Sequence, residues 1–264
     1  MMTLSDFNSC GEELERRLRL KTFPFAVKLL EKEEDIPEGA IRPKRDLGHH
    51  LDLCQGFAMS RREGKLMAML KDDMWCYTPV IALGLAEPPA HFLEGHMYYP
   101  SRVSTLEAAK NVAAMFPRLE YGKYVGIVSA PLKAVNFEPD LVTIYCNSAQ
   151  LTSLLLGIRY KEGYQVTTTI TGAAACVYPT VPVIKSKECQ VAVPCRGDRK
   201  WALAQDDEMV FSLPKEKLED LMLGLRHLDE AGPLFPLDFG MRPERALSKG
   251  YVKMGRMLGM EVHE

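Results

Sequence analysis

The chain has 264 residues, of which 47% are hydrophobic and 26% are charged, and its formal net charge is −2. This composition is typical of a globular protein with a sizeable core, and the balanced charge argues against the basic face that nucleic-acid binding needs. The apolar stretches are far shorter than a bilayer span, and the charged amino terminus lacks the apolar core of a signal peptide. We therefore expect a cytoplasmic protein that binds neither nucleic acid nor membrane, with its seven cysteines as reduced thiols or metal ligands.

The first half of the chain alternates helix-like and strand-like segments. An amphipathic helix is predicted over Leu4–Leu20, with Ser5 or Asp6 as its cap. The segments that follow are predicted to be a strand over Phe25–Leu30, a helix over Leu51–Arg62, a strand over Lys65–Leu70, a short helical or coiled segment over Pro79–Leu85 and a helix over Thr105–Met115.

The second half is richer in β-branched residues and predicts more strands. The predicted strands are Tyr124–Ser129, Leu141–Cys146, Tyr164–Thr171, Glu188–Val193 and Glu208–Ser212, and the predicted helices are Ala149–Tyr160 and Lys215–Leu228. This order indicates an α+β fold, with mixed α/β as the alternative, in which one compact domain holds a mixed sheet flanked by helices. We expect this domain to cover residues 1–231, and the extension 232–264, rich in Pro, Gly and Met, to pack on the domain or on a partner.

Four cysteines lie beside turn-forming or small residues rather than inside uniformly apolar runs: Cys54, Cys76, Cys176 and Cys195. Their spacing contains no CxxC pair and matches neither a zinc ribbon nor a ferredoxin. Spacing alone therefore favours packing thiols, and any shared site has to be assembled from distant segments. The remaining cysteines, Cys10, Cys146 and Cys189, are interpreted as core or surface thiols.

The densest polar cluster of the chain begins at Cys195, and the segment Cys195–Arg199 is predicted to be a turn. Within it, the planar guanidinium of Arg199 suits a carboxylate or a phosphate. The alternative, which the sequence alone favours, is a surface ion pair of Arg199 with Asp198 or Glu208. The three consecutive acids at 206–208 are predicted to form a solvated turn before a strand.

Several segments read together resemble a prokaryotic family known as domain of unknown function 169. Besides the opening helix, they are PFAVKLLEKEEDIPEG, LCQGFAMSRREGK, CYTPVIALGL, STLEAAKNVAAMFPRLEYGKY, VTIYCNSAQLTSLLLGIRYKEG and VPCRGDRKWALAQDDEMVFSLPKEKLEDLMLGL. The resemblance implies that the cysteines at 54, 76, 176 and 195 recur and form one site. Two features depart from the family: Asp198 stands where many members have another cysteine, and Tyr77-Thr78-Pro79 replaces the usual Pro-Gly-Gly. The family name implies no activity.

The leading hypothesis is a cysteine-ligated metalloprotein that serves redox chemistry or electron transfer. The expected ligands are Cys54, Cys76, Cys176 and Cys195, which would hold an iron–sulfur cluster such as 4Fe-4S, with zinc as the alternative. Asp198 and Arg199 are the other predicted cofactor-binding residues, and the charge of Arg199 would raise the potential of the cluster. A redox partner protein is then expected.

Two alternatives remain open at this point, and the sequence does not decide whether the protein is an enzyme. One is a metal-free enzyme whose nucleophile is Cys195 or Cys76, with His49, His50 or His96 as its base and an anionic small molecule as its substrate. The other is a small-molecule-binding protein whose cysteines are structural. In either case the methionines of the tail would provide an apolar surface for a homodimer.

Overall fold

The computed structural model describes residues 2–230 and 247–260. Within them, six strands form one sheet: β1 (Phe25–Leu30), β2 (Met67–Leu70), β3 (Gly126–Pro131), β4 (Leu141–Cys146), β5 (Gln190–Ala192) and β6 (Met209–Pro214). The helices are α1 (Leu4–Leu18), α2 (Leu53–Glu63), α3 (Tyr77–Ala82), α4 (Ala90–Leu93), α5 (Leu106–Met115), α6 (Ser148–Arg159), α7 (Val181–Ser186), α8 (Arg196–Ala202), α9 (Leu218–Glu230) and α10 (Lys249–Met257).

The strands are ordered β2-β3-β1-β4-β6-β5 across the sheet, and each neighbouring pair is antiparallel. This architecture confirms the α+β fold, whereas the prediction of a mixed sheet was wrong. In the described part of the chain, parallel pairing is confined to two isolated bridges, Ile41 with Met67 and Leu51 with Met74, outside the ladder of named strands. The sheet is thus a single antiparallel layer with helices on both of its faces.

Side-chain alternation along the strands divides the core into two layers. In β4, Tyr145 belongs to the layer on one face of the sheet, and its neighbour Cys146 belongs to the layer on the other. We call these layers the first face, which is covered by α2, α3, α4, α5, α7 and α8, and the second face, which is covered by α1, α6 and α9. Both faces are largely apolar in their interior, so strand positions read as nearly continuous buried runs rather than as alternating ones.

The second face is a packed helical layer. Helix α1 begins at a capping box, because the Thr3 hydroxyl accepts from the Asp6 amide at 3.3 Å and the Asp6 carboxylate accepts from the Thr3 amide at 2.7 Å. The cap is therefore Thr3 rather than Ser5 or Asp6. Helices α6 and α9 approach closely at two glycines, where a Cβ on Gly224 would lie 2.0 Å from the Gly157 carbonyl oxygen.

On the first face, α2 lies directly against the sheet. A Cβ on Gly56 would lie 2.3 Å from the Met69 sulfur, so a larger residue would push α2 away from β2. One turn further along α2, the hydroxyl groups of Ser60 and Ser129 are 2.8 Å apart, which joins the helix to β3 inside the core. These contacts fix the distance of α2, the helix that carries Cys54, from the sheet and its position along the strands.

The predicted strand over Tyr164–Thr171 is wrong, because this segment has no regular secondary structure. It runs beside β5 but bonds to it through a side chain: the Thr168 hydroxyl donates to the Val191 carbonyl at 2.8 Å and accepts from the Val191 amide at 3.2 Å. Since one hydroxyl occupies both backbone groups of Val191, no backbone ladder forms there. A β-branched composition indicates strand propensity, but it does not indicate that a side-chain hydroxyl will compete with the backbone for the same hydrogen bonds.

The predicted turn at Cys195–Arg199 is also wrong, since these residues begin α8 with Cys195 as its N-cap. The predicted extension over residues 232–264 lies partly outside the described residues, and so does its predicted boundary with the domain. Its described part includes α10, where Val252 is buried and Met254 and Met257 are exposed, and Met260 after the helix is exposed as well. None of the helices in residues 2–230 and 247–260 combines the length and the apolarity needed to cross a membrane.

Candidate thiol site

The four singled-out cysteines come from four separate segments on the first-face side of the sheet. Cys54 lies in the first turn of α2, Cys76 is the N-cap of α3, Cys176 precedes α7, and Cys195 is the N-cap of α8. Cys54 and Cys176 are buried in the first-face core, while Cys76 and Cys195 are half-buried. The site thus has an apolar interior and an outer side close to solvent.

Electrostatic coupling shows that these four thiols are neighbours in space. Burial raises the pKa of Cys176 well above its usual value, and Cys54, Cys76 and Cys195 raise it further. Burial likewise raises the pKa of Cys54, with Asp198, Cys195 and Cys76 adding to the effect. The pKa of Cys76 is also raised, first by burial and then by other groups that include Cys195. Cys54, Cys76 and Cys195 are therefore close enough to Cys176, and Cys195 is close enough to Cys54 and Cys76, for their charges to be felt.

Two carboxylates flank the thiols, and each has a buried oxygen without a hydrogen-bond partner. Asp198 is 0% exposed, its Oδ2 accepts from the Tyr145 hydroxyl at 2.8 Å, and its Oδ1 has no partner. Asp52 precedes α2 and has an unpartnered Oδ1 as well. Burial raises the pKa of Asp198 to about 6, and burial also raises the pKa of Asp52. Unpaired buried oxygens carry a desolvation cost, which a cation would remove.

A buried arginine lies behind this group of acids. Arg61 of α2 is 1% exposed, and its guanidinium carbon lies 3.9 Å from the centre of the Tyr145 ring. Its Nη2 donates to the Ala202 carbonyl at 2.8 Å, and its Nη1 is 3.7 Å from Glu208 Oε1. Glu208 is 3% exposed, so the prediction that it lies in a solvated turn was wrong. The positive charge of Arg61 lowers the pKa of Asp198 against the larger effect of burial.

Sequence reasoning missed Arg61 because it stands in a charged run, Ser60-Arg61-Arg62-Glu63, that is typical of a solvated helix end. The available signal was helical spacing: Arg61 follows Cys54 by seven residues, which places both on one side of α2. Tyr145 was missed as well, since a strand position gives no indication that its hydroxyl is bonded to a carboxylate in another segment.

Arg199 is held in a different place from the one predicted. Its Nη1 donates to the Gln205 carbonyl at 2.6 Å and is 3.2 Å from Asp206 Oδ1. The surface ion pair expected for Arg199 therefore exists, but with Asp206 rather than with Asp198 or Glu208. Its charge still lowers the pKa of Asp198, as a smaller effect than that of Arg61.

Helix α8 connects the thiol site to α2 at both of its ends. At its start, the Asp198 amide donates to the Cys195 sulfur at 3.5 Å. At its end, the carbonyls of Ala202 and Leu203 accept from Arg61 at 2.8 Å and from Arg62 at 2.5 Å. Cationic side chains at a helix carboxyl end are favourable. The positions of Cys54 and Cys195 are thus fixed relative to each other by one pair of helices.

The other three cysteines lie in the second-face core and have different neighbours. Burial raises the pKa of Cys10 to about 11 and those of Cys146 and Cys189 to about 12. The groups that modify these values are charged or hydrogen-bonding residues such as Arg226, Glu208 and Tyr164, instead of other thiols. The predicted division of the cysteines therefore coincides with the two faces of the sheet.

The histidines named as candidate bases lie in other contacts. His49 Nδ1 is 2.8 Å from the Leu47 carbonyl oxygen, and His96 stacks on His91 at 5.4 Å. His50 is 5.9 Å from the ring of Trp75, the exposed residue before Cys76. Among residues 2–230 and 247–260, no group of three or more His, Cys, Asp or Glu side chains stands in an arrangement that could hold a metal ion.

The fold and these side chains define an α+β protein with a cluster of neighbouring thiols and two carboxylates on one face of an antiparallel sheet. The profile of the DUF169 family, described as an uncharacterised ArCR, matches residues 13–224. The chain belongs to this family, which confirms the resemblance seen in its segments. It is 28% identical over 228 residues to the uncharacterized protein MJ0308 of Methanocaldococcus jannaschii, covering 84% of this chain and 96% of that relative. No solved structure gives a significant match.

Proposed function

We propose that Cys54, Cys76, Cys176 and Cys195 bind an iron–sulfur cluster and that the protein serves in electron transfer. The observation that carries the proposal is that Cys54, Cys76 and Cys195 raise the pKa of Cys176 beyond the effect of burial, although the four come from separate segments of the chain. Thiolates are the ligands of iron–sulfur clusters, and four cysteines are the usual number.

The charge of the site supports a cationic occupant. Four thiols and two carboxylates, Asp52 and Asp198, are gathered in one region, where burial raises the pKa of Cys54, and Asp198, Asp52, Cys195 and Cys76 raise it further. A bound metal centre reverses this effect, because a coordinating thiol loses its proton outright. The unpartnered Oδ1 atoms of Asp52 and Asp198 would then face positive charge instead of an apolar interior.

A bound cluster supplies one-electron redox chemistry, and the residues of the chain tune it. The interior side of the site, at Cys54 and Cys176, excludes water. Arg61 offsets negative charge from within the core, which favours the reduced state and raises the potential. Cys76 and Cys195 lie on the half-exposed side, where a redox partner protein would approach. All seven cysteines are free, as expected for a protein of the reducing cytoplasm.

A nucleophilic cysteine is a less favourable reading of the same site. A nucleophile needs a depressed pKa and a base to accept its proton. Here burial raises the pKa values of Cys54, Cys76 and Cys176, and no histidine is among the groups that shift them further, while hydrogen bonds with Thr78 lower that of Cys76.

The proposal is tested by purifying the protein without oxygen, supplying iron and sulfide, and measuring bound iron, acid-labile sulfide and zinc. We expect brown protein with iron and sulfide in equal amounts, and single Cys→Ser changes at 54, 76, 176 and 195 to reduce loading severalfold. Cys10→Ser, Cys146→Ser and Cys189→Ser are matched controls, because these cysteines lie on the second face and should leave loading unchanged.

The outcomes separate the remaining readings. If the protein binds stoichiometric zinc without sulfide, and the same four variants lose it, the four thiols are ligands of zinc rather than of an iron–sulfur cluster. Colourless, metal-free wild-type protein after this treatment would refute the proposal. So would equal loss of loading in the three controls, provided that circular dichroism shows every variant to be folded.

A further inference from the structure

A groove separate from the thiol site lies between the segment that follows α5 and helix α7. Its volume is about 870 Å³, and residues 114–120, 123–124 and 184–185 line it. Pockets that bind small molecules have volumes of about 300 to 1,000 Å³. The groove is therefore large enough for a metabolite.

The groove is lined by three cations and one carboxylate. The cations are Arg118, Lys123 and Lys185, and the carboxylate is Glu120. Within the described residues, none of the three cations has a carboxylate within ion-pair distance. Elsewhere on the surface such pairs are frequent, for example Lys133 with Glu15 at 2.9 Å. The groove thus concentrates positive charge without a direct ion pair, while a hydrogen bond with Tyr124 and, more weakly, the charges of Glu31 and Glu120 raise the pKa of Lys123.

The guanidinium of Arg118 is held in place by the core. It lies 5.9 Å from the centre of the Phe92 ring, and its Nη1 is buried without a hydrogen-bond partner. A buried donor without an acceptor is costly, so the position of Arg118 becomes favourable only when an acceptor comes within hydrogen-bond distance of its Nη1. An anionic group in the groove would be such an acceptor.

The apolar part of the groove is rigid and aromatic. Phe116 is 5% exposed and packs edge-on against Phe92 at 5.6 Å and Tyr178 at 6.1 Å. Tyr124 is half-buried, and the Lys123 ammonium lies 5.3 Å from the centre of its ring. A wall of fixed rings beside unpaired cations suits a molecule that has an apolar body and an acidic group.

We propose that this groove binds a small anionic molecule with an apolar or aromatic body. Arg118, Lys123 and Lys185 surround its acidic group, and Phe116 and Tyr124 contact its body. The acidic group is a carboxylate or a phosphate, which share the same recognition by guanidinium and ammonium groups. This binding site does not depend on a metal at the thiol site.

The test uses the full chain and 8-anilinonaphthalene-1-sulfonate, a fluorescent probe with an anionic group and an aromatic body. The key variant is Lys123→Gln/Lys185→Gln, because both lysines are exposed and their replacement leaves the core intact. We expect its dissociation constant for the probe to rise at least tenfold, whereas Lys44→Gln/Lys65→Gln, with the same change in charge at exposed residues that do not line the groove, stays within twofold of the wild type.

Competition then identifies the acidic group. Displacement of the probe by benzoate assigns a carboxylate, and displacement by inorganic pyrophosphate assigns a phosphate. An unchanged dissociation constant in Lys123→Gln/Lys185→Gln, an equal loss in the control variant, or failure of both anions to displace the probe would overturn the proposal.

Discussion

The two faces of the sheet are covered by helices and contain cysteines, yet they differ in what surrounds those cysteines. On the second face, Cys10, Cys146 and Cys189 are dispersed among aliphatic side chains. On the first face, Cys54 and Cys176 lie beside two further thiols and the buried Asp198. Burial alone therefore does not distinguish a packing thiol from a candidate ligand. The identity of its nearest ionisable neighbours does.

The faces also differ in how their acids are compensated. Asp198 on the first face keeps a buried oxygen without a partner, and its pKa is raised. On the second face, the Glu13 carboxylate of α1 forms ion pairs with Arg226 at 2.6 Å and with Arg17 at 2.6 Å. The hydrogen bond from Arg226 is the main reason why the pKa of Glu13 is lowered to about 2. The buried Asp198 of the first face is thus less well compensated than Glu13, and perturbed pKa values of this kind are typical of functional sites.

The largest expected effect follows from removing the buried cation of the first face. Arg61→Met leaves Glu208 and Asp198 buried without their positive neighbour, and we expect the free energy of unfolding to fall by about 3 to 5 kcal/mol. The matched control is Arg62→Met, since this adjacent side chain is half-buried and should cost about 1 kcal/mol. Urea unfolding measures both. Equal losses would mean that the two arginines serve only as caps of α8.

The next effect concerns the pH dependence of the metal-free protein. The folded pKa of Asp198 is about 6 against an ordinary 3.8, so folding favours its protonated form. The stabilisation of the folded state by protonated Asp198 is fully present below pH 3.8 and is lost as the pH rises through 6. The loss amounts to about 3 kcal/mol in total, at 1.36 kcal/mol per pH unit. Asp198→Asn should remove this decline, whereas the exposed control Asp206→Asn should keep it. Denaturant unfolding from pH 4 to pH 7 provides the comparison, and parallel curves for wild type and Asp198→Asn would contradict it.

The smallest effect has the opposite sign and lies on the second face. The pKa of Glu13 is lowered from 4.5 to about 2, so its contribution is present above pH 4.5 and lost as the pH falls through 2. We expect Glu13→Gln to cost about 1 to 2 kcal/mol at neutral pH, an amount reduced because Arg226 is half exposed, and almost nothing near pH 2. Glu12→Gln, at the neighbouring exposed position, is the control. A loss that persists unchanged at pH 2 would assign the effect to packing.

Much of the fold was predictable because its signals are local. The strand Phe25–Leu30 and the strand Leu141–Cys146 were predicted residue for residue, and the helix after Asn147 was predicted to within one residue at each end. Capping residues and uninterrupted apolar runs carry that information. The identities of the four clustered cysteines came from family resemblance, since their spacing carries no metal signature.

What the sequence could not indicate depends on contacts between distant segments. Helix α8 exists where a turn was expected because α2, more than 130 residues earlier, supplies cations to its last carbonyls. The segment around Thr168 is not a strand because its own hydroxyl occupies the neighbouring backbone. The burial of Arg61 has the same character, since only the folded chain brings Tyr145, Ala202 and Glu208 around it.

The order of the strands has a consequence for biosynthesis. Within the sheet, β5 pairs only with β6, so the segment leading to Cys195 joins the sheet only after Met209–Pro214 has left the ribosome. Cys54 is synthesised about 150 residues before that point. Chains fold as units during synthesis, so the first thiols must wait, reduced and without their partners, until the last strand arrives. Loading of the cluster that we propose would therefore follow translation, and it would require that these thiols stay reduced in the meantime.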